Sequence, residues 1–192
     1  MPAPLFPQLL ERALDRHGLL TPDDALAVGA SEAALRVLAS RGTLLRKGFA
    51  IYQIPQLAGD RLAQYQEALL WVREAGAISH DTALDLHQLS DINPSKVHVT
   101  IDPKTRFRRR LPDWLEIHRG RLDEADTAWL EGLRITTPAR TVLDCVATHV
   151  GEQFIDQAIA TGRTRGLLSG AALHRIEIAR TRQRLTALES AL

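Results

Sequence analysis

Apolar positions in the first part of the chain follow a helical period up to Gly42 and a strand period after it. Phe6, Leu9, Leu10, Ala13 and Leu14 recur at helical spacing and stop at Gly18, which predicts a leading helix. Thr21-Pro22 reads as an N-cap followed by proline at the first helical position, where a missing N–H costs nothing. Ala25, Leu26 and Val28 give that helix its apolar face. Gly29 ends it with the left-handed turn that a helix–turn–helix corner needs. Ser31 caps a second helix with Ala34, Leu35, Val37 and Leu38 inward. Glu32, Ala33, Arg36 and Ser40 take its other face, and Arg41 stands at its end. From Leu44 to Ile54 the alternation predicts a hairpin turned at Lys47-Gly48.

Helix, turn, helix and a hairpin tipped by Arg46 and Lys47 is the order of a winged helix–turn–helix. In that fold the second helix enters the DNA major groove and the wing reaches the neighbouring backbone. The same residues also allow a small helical subdomain whose hairpin binds a protein or only packs. Gln56-Leu57-Ala58-Gly59 reads as a linker, so residues 1–58 form the expected first domain and 59–192 the second. Asp60 caps a helix over 61–74 with Leu62, Tyr65, Leu69 and Val72 inward. Ser79 caps a short helix over 81–87. Strands are predicted at 96–101, at 114–118 and, as one element, at 127–135, with a polar hairpin or loop over 102–112. Thr137-Pro138 repeats the cap-plus-proline signature, and Arg140 is placed to pair with Asp144 one turn on. Further helices follow Gly151 and Ser169-Gly170. The expected fold class is α+β: a winged helix–turn–helix, then a mixed α/β domain with a small sheet flanked by helices.

At 192 residues and 45% hydrophobic content the chain can bury a sizeable core. A net charge of +1 and a pI near 8.0 do not describe a binder of bulk polyanion, so any nucleic-acid contact has to come from local patches. The single cysteine, Cys145, excludes an intramolecular disulfide and a cysteine-cluster metal site. The N-terminus lacks the basic start and apolar run of a signal peptide, and no apolar run approaches a membrane span. A cytoplasmic protein without a membrane partner is expected.

The strongest charge run is Lys104, Arg106, Arg108, Arg109 and Arg110 around Phe107. Guanidinium groups fork onto phosphates and an aromatic ring stacks on bases, so this stretch is a second candidate nucleic-acid surface; a solvated loop tip is the competing reading. His80, His87, His98 and His118 lie near Asp81, Asp85, Asp102 and Glu116, but in no HExxH, paired-histidine or P-loop spacing. His98 alternates with Val97 and Val99 and is expected to point outward. A nuclease core would carry an Asp and then a Glu-x-Lys strand, whereas Glu116-Ile117-His118 lacks the lysine. No catalytic residue, metal ligand or cofactor is therefore assigned. A nucleic-acid-processing enzyme or nuclease-associated module working through His80, Asp81 or Glu116 stands as the alternative function.

Three stretches carry a family likeness: Ala77-Ile78-Ser79-His80-Asp81-Thr82-Ala83-Leu84, Val97-His98-Val99-Thr100-Ile101 and Ile135-Thr136-Thr137-Pro138-Ala139-Arg140-Thr141-Val142-Leu143-Asp144. With the N-terminal pattern they resemble the AbiEi antitoxins of type IV toxin–antitoxin systems, which act in abortive infection and phage defence. The resemblance implies an N-terminal domain that binds repeats in the promoter of its own operon and represses it. It also implies a second domain that counteracts a nucleotidyltransferase-type toxin without requiring a stable complex. Carried onto this chain, the DNA contacts fall on Ser31, Glu32, Arg36, Ser40, Arg41, Arg46 and Lys47. A monomer is expected in solution.

Overall fold

The structure is a computed structural model and describes residues 5–107 and 110–190. The chain divides into two compact units, Met1–Glu74 and Ala75–Leu192. The division falls after Glu74 and not near Gly59, because the helix beyond Gly59 packs into the first unit.

The first unit runs α1 (Leu5–Leu14), β1 (Leu19–Leu20), α2 (Pro22–Ala27), α3 (Glu32–Ser40), β2 (Leu45–Gly48), β3 (Ile51–Gln53) and α4 (Ala63–Trp71). Its antiparallel sheet has the order β1-β3-β2, with Leu19 and Leu45 flanking Gln53. Leu9, Ala13, Leu20, Ala25, Leu35, Leu44, Tyr52 and Ile54 form its core. On the other side of the sheet Leu19 and Ile51 meet Leu70 and Trp71, and this contact draws α4 into the unit. Thr21 starts α2 as its pattern requires: the Asp24 carboxylate accepts from the Thr21 N–H at 2.8 Å and from its hydroxyl at 2.7 Å.

Three local expectations are corrected. The hairpin turns at Phe49-Ala50, where Ala50 takes φ +59°, so β2 continues through Gly48. Gly48 is needed for close approach: a Cβ there would stand 2.5 Å from Trp71 Cζ2. Leu26 and Val37, both expected inward, are 64% and 46% exposed. A helix as short as α2 or α3 buries only a narrow stripe, so Ala25 and Leu35 take the inward places.

The second unit runs β4 (Gly76–Ile78), α5 (His80–Leu86), β5 (Val97–Ile101), β6 (Leu115–Arg119), β7 (Thr127–Leu130), β8 (Leu133–Thr136), α6 (Pro138–Ala147), α7 (Glu152–Thr164) and α8 (Gly170–Ser190). The sheet order is β6-β5-β4-β8-β7, with β4/β8 and β5/β6 parallel and the other pairs antiparallel. Because β5 and β6 are parallel, the segment between them is a crossing loop and not a hairpin. The single strand expected at 127–135 is a hairpin, broken at Glu131-Gly132 with φ of +47° and +83°. The helices share a core of Leu84, Leu89, Ile92, Val142, Cys145, Val146, Ile155, Ala158, Leu168 and Ile176. The fold is α+β, and no helix among the described residues is long and apolar enough to cross a membrane.

Candidate functional site

The exposed side of α3 collects what the sequence assigned to it. Ser31 occupies the N-cap position, and Glu32, Arg36, Ser40 and Arg41 are all exposed. Glu32 and Arg36 approach at 4.0 Å, and the Ser40 hydroxyl donates to the Val37 carbonyl at 2.9 Å. Both contacts are local and exposed, so they cost little to exchange for a ligand. The two hairpin cations differ. Arg46 Nε donates to its own strand at Gly48 O (3.3 Å) and is exposed. Lys47 instead ion-pairs with Glu67 of α4 (3.3 Å), whose other oxygen accepts from Trp71 Nε1 (3.4 Å).

The second basic stretch is more occupied than its composition implied. Lys104 is exposed, but Arg106 donates to the carbonyls of Pro103 and Thr105, and Arg119 donates to Thr105 O at 2.8 Å. Arg110 pairs with Asp113 at 2.9 Å. Arg108 and Arg109 lie outside the described residues. The arginines of this crossing loop that the structure describes therefore hold its own backbone and an adjacent carboxylate.

Strand register assembles a site that the sequence did not bring together. Ser79 follows β4 opposite His98, Ala77 faces Thr100, and in the parallel pair His98 and Thr100 face Glu116 and His118. These residues share one face of the pleated sheet. His98 is thus half-buried against its neighbour and does not point outward. Its Nδ1 lies 2.9 Å from His118 Nε2, one nitrogen donating and the other accepting. His80 closes the group at the start of α5: its ring stacks on His118 with centroids 3.5 Å apart. His80 Nδ1 is 2.9 Å from Ser79 Oγ, which accepts from Thr100 Oγ1 at 2.8 Å. His80 holds φ +53°, a strained value for a residue with a Cβ. Burial, then His118, His98 and Arg140, depress its pKa to about 3; burial lowers those of His98 and His118 as well. The three imidazoles are consequently neutral at pH 7.

Around this stack stand two structural devices. Glu116 accepts from Lys96 at 2.7 Å at the rim, which holds its carboxyl below the usual range. Arg140 reaches Asp144 (2.7 Å), Asp126 (2.9 Å) and the Arg121 carbonyl (3.0 Å), tying α6 to the segment after β6. The expected pairing with Asp144 is present, whereas the other two partners had no sequence signal. His87 is committed elsewhere, 2.7 Å from Thr136 O. Among the described residues no group of three or more His, Cys, Asp or Glu is arranged to hold a metal ion.

These features define a two-unit α+β protein with an exposed polar helix face in one unit and a half-buried imidazole stack in the other. No protein-family model matches the chain, and no curated protein matches it. Among solved structures it is similar to the RV2827C protein from Mycobacterium tuberculosis, with a TM-score of 0.52 at 18% identity, over 91% of this chain and 75% of that one. The likeness is one of fold.

Proposed function

We propose that the protein is a DNA-binding autorepressor of its own operon and the antitoxin of a type IV toxin–antitoxin pair. The observation that carries the DNA arm is the α2–α3 corner followed by the β2–β3 hairpin, with Ser31, Glu32, Arg36, Ser40 and Arg41 left exposed on α3. In this reading the first unit is a winged helix–turn–helix. α3 lies in the major groove at promoter repeats, Arg36 reads base edges, and Arg46 contacts phosphate. Lys47 has a smaller part, since Glu67 already neutralises it. The antitoxin arm rests on the resemblance of the Ala77–Leu84, Val97–Ile101 and Ile135–Asp144 stretches, and it assigns neutralisation of a nucleotidyltransferase-type toxin to the second unit.

A gel-shift titration on the protein's own upstream DNA, beside a scrambled duplex and at two salt concentrations, tests the first arm. Specific binding that weakens with salt is expected, because each neutralised phosphate releases counterions. Equal or absent binding to both duplexes overturns it. Growth rescue on co-expression with a nucleotidyltransferase encoded beside it tests the second arm.

A further inference from the structure

α8 carries two patterned faces. On one, Ala172, Ile176 and Arg180 are at most 8% exposed, and Gln183 donates to the Val146 carbonyl at 2.6 Å. Arg180 reaches Glu152 and Asp156 of α7 from the same side. With Ile178 assigned to heptad position a, those four residues occupy b, f, c and f, the outer positions of a coiled coil. The a and d positions therefore fall on the far side of the helix. There Ile178, Leu185 and Leu188 are 40%, 55% and 64% exposed, with Thr181 between them, also exposed.

Charge selects the occupant of this face. In a parallel pair of identical helices each g residue faces the e residue five places later on the other helix. Here Glu177 meets Arg182 of the second copy, and Arg184 meets Glu189 of the second copy. Two-fold symmetry makes each pair twice. All four residues are exposed. Arg184 bonds Glu152 at 3.0 Å in the single chain, so its move exchanges one exposed ion pair for another. We propose that α8 pairs with α8 of a second copy as a short parallel coiled coil, revising the monomer expected from sequence. The seam is short and Thr181 interrupts it, so the dimer forms as concentration rises. This proposal does not depend on DNA or toxin binding.

Sedimentation of the full chain over a wide concentration range tests it. A concentration-dependent dimer is expected, reduced to monomer by Leu185→Asp, which alters an exposed side chain and leaves the core alone. Glu177→Arg is expected to weaken association and added Arg182→Glu to restore it. Under oxidation Leu185→Cys is expected to link to itself across the parallel seam, with buried Cys145 remaining reduced. A monomer at all concentrations, a dimer indifferent to Leu185→Asp, or a dimer without the 185–185 link overturns the proposal.

Discussion

The α3 face and the sheet face of the second unit use polar side chains in opposite ways. On α3 the charged and hydroxyl groups stand in water with weak partners within the same helix, so they can exchange those partners for a ligand. On the sheet, Ser79, Thr100 and His80 are at most 5% exposed and bonded to one another, so each removal leaves a neighbour unpaired. The first arrangement suits recognition and the second suits architecture. Substitutions should therefore separate cleanly: binding without stability in one region, stability without DNA binding in the other.

Among single substitutions at neutral pH, Arg140→Ala should make the largest difference. Removing the guanidinium leaves Asp126 and the partly buried Asp144 without their cation, and a loss of about 3 kcal/mol in urea unfolding is expected. DNA affinity at fixed folded concentration should be unchanged. Second comes acid. The native state keeps His80 neutral down to about pH 3, whereas the unfolded chain takes up a proton near the ordinary 6.5. The stability this group contributes is complete above pH 6.5 and is lost as pH falls towards 3. The slope for one such histidine is about 1.4 kcal/mol per pH unit. His98 and His118, also lowered, act with the same sign. Denaturation at stepped pH should show this slope flattened in His80→Gln. Third, Arg36→Ala should weaken specific DNA binding by about 1–3 kcal/mol with the melting temperature unmoved. The smallest effect sharpens the comparison within the hairpin itself: Arg46→Ala should lower the salt slope of binding by about one, and Lys47→Ala by less. An equal effect at both positions would show that the Glu67 pair opens on DNA.

What could be read in the sequence follows the range of the interaction. Thr21-Pro22 and Thr137-Pro138 act within one helical turn, and both start helices where expected. The Arg140–Asp144 pair is equally local. The break between β7 and β8 is not legible in the sequence because Glu131 is an unusual residue for a positive φ, and the alternation of Leu130, Gly132 and Arg134 continues through it. The imidazole stack was out of reach for a different reason. His80, His98 and His118 meet only because β5 pairs in parallel with β6 and antiparallel with β4, and the order of residues along the sequence does not display that register. The period-two pairs His98/Thr100 and Glu116/His118 were the available signal, since they mark one strand face each.

Arg140 also sets a timetable for assembly. Its partners Arg121 O and Asp126 precede β7 in the chain whereas Arg140 follows β8, so the clamp closes only after the β7–β8 hairpin has brought the two segments together and α6 has formed. An interaction that closes late is expected to act on escape from the native state more than on folding. Loss of Arg140 should appear as faster unfolding with a nearly unchanged refolding rate. The residue then governs how long the second unit stays folded far more than how quickly it gets there.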